Sequence, residues 1–306
     1  MASLCTKALE AGIEVEYVQE LVQKLNIIPE KPPLHLENWP WPLKMFTLGR
    51  FELLKDCQPI RFSRKTQQKP LAMLKVLIAL GGKEVREDQI TDALWPEADG
   101  DMAHQSFETT LHRLRHLLGQ EKAIQLKEGR LTLDERFCWV DVWAFEHLLG
   151  EAEVRWKKGQ MDRGIQLIEK AIALYHGAFL AREMEEPWTM STSERLRTKF
   201  LQMVGKLGDY RQQAGQWDKA LECYQKGLEV DDLAEEFCQG LMTCYQRLDR
   251  KAEALTFYHR YQKRLSTVLG LEPSAKTLAI YKTLSGNAKV KSQNDTLLNI
   301  FIVLVP

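Results

Sequence analysis

The chain has 306 residues, 44% hydrophobic and 27% charged, an ordinary composition for a soluble globular protein of about two domains. Its 42 basic residues balance 42 acidic ones, so no global positive field advertises nucleic acid and any basic patch has to be local. Six cysteines lie far apart, with no Cys-x-x-Cys pair and no Cys/His cluster, which points to reduced, mostly buried thiols rather than a disulfide framework or a zinc site.

The opening residues lack the continuous apolar core of a signal peptide. The long apolar run from Leu297 to Val305 is about half of the roughly 20 residues that a spanning helix needs. A cytoplasmic location, with no membrane partner, is therefore expected.

Residues 6–26 carry helical spacing in two pieces, with Leu9 and Ile13 in the first and Val18, Leu21, Val22 and Leu25 in the second. A stripe this short cannot be hidden by the segment itself. Either it docks on the rest of the chain, or residues 1–28 are a helical remnant of an upstream domain. Prolines cluster at Pro29–Pro33 and at Trp39-Pro40-Trp41-Pro42, so residues 29–42 read as a stiff linker with few contacts. From Leu43 the period becomes two, predicting short strands at Met45–Leu48, Phe51–Leu54 and Pro59–Phe62. Three helices follow, at about Lys69–Leu80, Glu87–Leu94 and Met102–Leu118, with Pro70 in an opening turn, Asp99 and Asp101 as candidate caps and Gly119 as a stop. Ile124–Leu126 and Leu131–Leu133 flank a tight turn and make a hairpin. Beyond Val140 the pattern is helical and it repeats. Gly159-Gln-Met-Asp-Arg-Gly-Ile165 echoes Gly215-Gln-Trp-Asp-Lys-Ala-Leu221, and Ala220 with Tyr224 recurs 34 residues later as Ala254 with Tyr258. A period near 34 is the signature of stacked helix pairs. Trp156, Trp188 and Trp217 fit the core of such a stack better than a ligand cage.

On the third helix, Phe107, Leu111, Leu114 and Leu118 form one apolar face. Gln105, Thr109, His112 and His116 take the same steps on the opposite side, flanked by Arg113 and Arg115, with Glu108 as an acid. Amide, hydroxyl, imidazole and guanidinium groups are those that bond base edges and phosphates in a major groove. Charge is polarised nearby. Residues 60–83 hold Arg61, Arg64, Lys65, Lys69, Lys75 and Lys83 without an acid, whereas residues 84–101 hold seven acids against Arg86. The basic stretch and the hairpin pair Lys127 and Arg130 fit a phosphate backbone beside the helix. His104, His112 and His116 sit at helical spacing, but two turns separate the outer pair and only Glu108 supplements them, so no metal site is expected. No Ser/His/Asp pattern or paired acids stand out, so neither catalysis nor a cofactor is expected.

Three strands, three helices and a terminal hairpin, with Thr109-Thr-Leu-His-Arg-Leu-Arg115 in the third helix, resemble the OmpR/PhoB-type winged helix. The resemblance implies DNA-contact roles for Gln105, Glu108, Thr109, Thr110, His112, Arg113 and Arg115, and a wing role for Arg130. It departs at Gln105 and His112, where that family often has arginine. Over residues 43–286, Phe46-Thr-Leu-Gly49-Arg-Phe51, Ala93-Leu-Trp-Pro96 and the opening Val140-Asp-Val142 resemble the bacterial transcriptional activator domain architecture of the antibiotic regulatory activators. The opening Ala11–Val18 and the proline segment resemble the junction in large STAND-type signalling ATPases, although no Gly-x4-Gly-Lys-Ser/Thr loop is present.

The expected fold class is mainly α: an N-terminal winged helix-turn-helix (residues 43–139) followed by a tetratricopeptide-like repeat domain (140–286) and a tail (287–306). The expected function is a DNA-binding transcription activator. Its candidate partners are double-stranded DNA, RNA polymerase and a second copy of the chain. Its candidate contacts are Arg64, Lys65, Gln105, Thr109, Thr110, His112, Arg113, Arg115, His116, Lys127 and Arg130. The alternative is a repeat adaptor whose winged helix no longer binds DNA.

Overall fold

A computed structural model describes residues 1–60 and 67–286, which fall into two compact units, residues 1–198 and residues from 199 onward. Arg64 and Lys65, the end of the third expected strand, and the 287–306 tail lie outside the described residues. The fold is mainly α, with small sheets in the N-terminal part.

The first unit opens with α1 (Ala2–Glu10) and α2 (Val15–Lys24). Strand β1 (Leu43–Phe46) pairs antiparallel with β2 (Glu52–Lys55), which pairs with β3 (Gln58–Pro59). Helix α3 (Gln68–Ala79), strand β4 (Val85–Arg86), helices α4 (Glu87–Leu94) and α5 (Gly100–Leu118), and strands β5 (Ile124–Lys127) and β6 (Arg130–Leu133) complete the winged helix. Strand β7 (Cys138–Val140) then lies parallel to β1, giving one sheet of order β3-β2-β1-β7 and a second of order β4-β6-β5. The chain continues into α6 (Asp141–Lys157), α7 (Met161–Leu174) and the start of α8 (Pro187–Gln213). Strands β4 and β7, which complete these sheets, have no counterpart in the sequence pattern, because two or three residues are too few to show a period.

The N-terminal segment takes the first of its two expected courses and docks. Cys5, Leu9, Val18 and Val22 are buried with Leu36, Trp39, Trp41, Trp139 and Ala144 in one apolar cluster. The proline segment is stitched down as well, contrary to the expectation of few contacts. Trp41 Nε1 donates to the Leu36 carbonyl at 2.9 Å, and Trp139 Nε1 to the Leu34 carbonyl at 2.9 Å. Indole rings bury large apolar areas only where their N–H finds an acceptor, and this segment supplies those acceptors. Deleting residues 1–28 is therefore expected to bare a contiguous tryptophan-rich patch. The trimmed protein should melt earlier or precipitate relative to the full chain. Superimposable thermal melts at equal solubility would show that the segment contributes nothing to the core.

The motif Phe46-Thr-Leu-Gly49 acquires its reason at the joint between the winged helix and α6. Asp141, at the first turn of α6, is 2% exposed and accepts from Thr47 N and Thr47 Oγ1 at 2.6 Å each, and from Leu48 N and Val142 N at 2.8 Å each. Gly49 has φ +88, and a Cβ there would lie 2.7 Å from the His176 carbonyl carbon and oxygen. Only a residue without a side chain lets residues 47–49 run against 178–180, where Gly49 N donates to Ala178 O at 3.0 Å and Leu180 N to Thr47 O at 2.8 Å. On α3, Lys75 pairs with Glu183, and Thr192 Oγ1 donates to the Ala79 carbonyl at 2.8 Å, satisfying an orphan group at the helix end.

The second unit holds the rest of α8, then α9 (Trp217–Val230), α10 (Glu235–Arg247), α11 (Lys251–Leu269) and a helical segment over 275–286. The sequence echo is a backbone echo. Gly159 and Gly215 both have φ +71, and the following Gln160 and Gln216 have φ/ψ of −87/63 and −86/64. Asp249, at φ +57, takes the same place 34 residues after Gly215. Tyr224 packs on Gly208 and Gly240 while its hydroxyl donates to Asp209 at 2.8 Å, and Tyr258 stacks on Tyr281 with centroids 4.2 Å apart. The repeat residues are thus core, as helix stacking requires. The three tryptophans singled out above are half-buried, and Trp217 lies under the Arg247 guanidinium at 5.5 Å.

Candidate nucleic-acid interface

Helix α5 starts where the Asp99 side chain accepts from Met102 N at 3.0 Å, and it ends at Gly119 with φ +59. Phe107, Leu111, Leu114 and Leu118 are at most 3% exposed and anchor it to the winged-helix core. Gln105, Glu108, Thr109, His112, Arg113 and His116 are exposed. His112 and His116 line grooves on both flanks of the helix, one shared with Arg113, Gln67 and Pro70, the other with Arg115 and Glu121. The polar ridge expected from the sequence therefore exists as a surface.

Two expected contacts turn inward. Thr110 is 5% exposed, because it sits between Phe107 and Leu111 on the buried stripe. Arg115 is half-buried, with Nη2 donating to the Ile124 carbonyl at 3.2 Å and Nε buried without a partner among the described residues. It braces α5 against the root of the wing. The basic stretch is also less available than its sequence suggests. Lys69 donates to the Leu94 carbonyl at 2.9 Å, Lys75 pairs with Glu183, and Lys83 pairs with Glu135. The acidic stretch has local work too. Asp99 caps α5, and Glu87 holds His104 of α5 at 2.5 Å, a contact that raises the exposed imidazole above its ordinary pKa.

The wing is a three-stranded ribbon. Its turn has Glu128 at φ +48 and Gly129 at φ +70, the two positive angles that a tight hairpin turn demands. Glu87 N donates to Gly129 O at 2.9 Å, tying the tip to α4. Arg130 is the cross-strand partner of both Lys127 on β5 and Arg86 on β4, and all three are exposed. Like charges placed side by side on a sheet repel. Asp88 offsets Arg86 at 3.2 Å, and a phosphate backbone would offset the rest. Arg86 was missed by sequence reasoning, because it stands among acids and on a two-residue strand 44 positions from its partner.

Five of the six cysteines are buried and Cys57 is exposed; burial pushes the Cys238 and Cys244 thiols up to about 12, far from a reactive thiolate. Among the described residues no helix is long and apolar enough to cross a membrane.

Residues 140–285 match the family model of the bacterial transcriptional activator domain. The matched segment begins at the β7–α6 junction, where Asp141 accepts from Thr47 and Leu48 just after β1. Over 202 residues the chain is 27% identical to the regulatory protein AfsR of Streptomyces griseus, and over 231 residues 24% identical to the regulatory protein AfsR of Streptomyces coelicolor. These alignments take in 66% and 76% of this chain but 20% and 23% of the two relatives, so the chain spans about a fifth of their length. The structure of Mycobacterium tuberculosis EmbR in complex with a low affinity phosphopeptide superimposes with a TM-score of 0.63, over 86% of this chain and 71% of that one. At 18% identity that likeness concerns the fold.

Proposed function

We propose that the protein is a transcription regulator of the activator type that reads double-stranded DNA with α5 and grips phosphates with the wing. The observation that carries this reading is the exposed ridge of Gln105, Thr109, His112, Arg113 and His116, with Arg86, Lys127 and Arg130 beside one another on the wing. A helix fits the major groove, and such side chains bond base edges and phosphates there. The match to the activator-domain family and to two regulatory proteins supports the same reading. Contact with polymerase and pairing with a second copy are roles we assign to the repeats on this basis.

Gel shifts of the full chain on its own upstream DNA, at a series of salt concentrations, test it. Arg113→Ala and Lys127→Ala should each lower the salt slope by about one unit, as lost phosphate contacts do. Arg115→Ala should leave the slope unchanged, since its half-buried guanidinium turns inward to the Ile124 carbonyl. Unchanged slopes for Arg113→Ala and Lys127→Ala would remove both from the interface. The adaptor reading draws on one observation, the internal engagement of Lys69, Lys75 and Lys83. Absence of any shift at low salt would decide for it.

A further inference from the structure

We propose that the cleft between the N-terminal segment and α6–α7 is a binding site for a small organic anion with an apolar, aromatic-sized body. The cleft has a volume of about 550 Å³, within the range of small-molecule sites, and six helices and strands of the first unit converge on it. Phe46 of β1 lies half-buried on its floor with the Arg50 guanidinium 5.0 Å from the ring centre, and the fully buried Trp139 of β7 backs it edge to face, with centroids 5.3 Å apart at 63°. The Trp139 N–H is already spent on the Leu34 carbonyl, so the aromatic surface open to an incoming molecule is that of Phe46.

The cleft's charges are lopsided. Lys44, Lys170 and His176 line it, and none has an anionic partner among the described residues. Of the two acids there, Glu10 is occupied by His35 at 2.6 Å, which leaves Glu37. Two lysines beside an aromatic floor, opposed by one uncommitted carboxylate, favour a ligand that brings its own negative charge and apolar area. Inorganic phosphate would use the cations and leave the aromatic floor uncovered. The rim is fixed. Gln19 donates to Asn38 O at 2.6 Å, and Asn38 donates to Leu9 O at 3.3 Å, so the N-terminal segment forms a standing wall rather than a loose flap.

The test uses the full chain and no DNA, so its outcome is separate from that of the reading above. The probes are 1-naphthoate, the neutral 1-naphthalenemethanol and the cationic 1-naphthylmethylammonium, titrated by calorimetry. 1-Naphthoate should saturate a single site and bind at least tenfold more tightly than either analogue. Lys44→Met combined with Lys170→Met should erase that preference. Ala173→Trp, at an exposed position on the rim, should obstruct the cleft and weaken 1-naphthoate at least tenfold. Thermal melts confirm that the variants are folded, and either variant alone is sufficient if the other is not. Equal binding of the three probes, tighter binding of the cation, or 1-naphthoate affinity indifferent to both variants overturns the proposal.

Discussion

Asp141→Ala is expected to cost the first unit about 3–5 kcal/mol, because it leaves Thr47 N, Leu48 N and the Thr47 hydroxyl buried without an acceptor. For a unit of this size that corresponds to a melting temperature lower by roughly 10 °C. The same group makes stability depend on pH. Burial pushes the Asp141 carboxyl up to about 6 from 3.8, outweighing four donors that pull the other way. A carboxyl whose folded pKa is raised holds its proton more tightly in the fold than in the unfolded chain. Stability from this group is therefore greatest below about pH 4, falls by about 3 kcal/mol as pH rises through 4 to 6, and stays flat above. Asp134 is lowered by its Arg136 partner against the pull of burial, and so acts with the opposite sign and in a more acidic window. Denaturant melts of wild type and Asp141→Ala between pH 4 and 7 give the measurement. A slope across pH 4–6 that persists in the variant would show that another group titrates there.

The helices and the outer face of α5 were legible because a 3.6-residue period survives any tertiary context in which one face is buried. The wing was legible from a two-residue turn with glycine in it. Thr110 could also have been placed from the sequence, since it falls on the stripe of Phe107, Leu111 and Leu114. Arg115 could not, because the length of its stem lets it reach a carbonyl on β5 from the edge of the stripe. The lysines of the basic stretch were misleading for a related reason. Their partners Glu183 and Glu135 stand 108 and 52 residues away, and pairing at that range leaves no local trace. The motif residues Thr47, Gly49 and Asp141 were noticed as a resemblance, but their physical content, a joint closed by one buried carboxylate and one missing side chain, emerges only when residues 47, 49, 141 and 176 meet.

Specific DNA recognition should collapse when Thr109 and His112 are replaced by alanine together. Both stand exposed on the middle turns of α5, one turn apart, where a helix in the major groove comes nearest the base edges. Each lost base contact costs roughly 1–3 kcal/mol, so the double variant should bind the preferred site about a hundredfold more weakly or worse. On the proposed reading, binding to random-sequence DNA would rest on phosphate contacts from Arg113 and the wing, which the double variant keeps, and should change less than about threefold. The fold should be unaffected, since neither side chain belongs to the buried face that holds α5. Selection from a random duplex library, followed by affinity measurement on the enriched and unselected pools, separates the two effects. If the double variant returns the wild-type motif with wild-type affinity, α5 does not read the bases. If the wild-type chain enriches no motif at all, the winged helix is not a reader, and the repeats with their partner become the centre of its function.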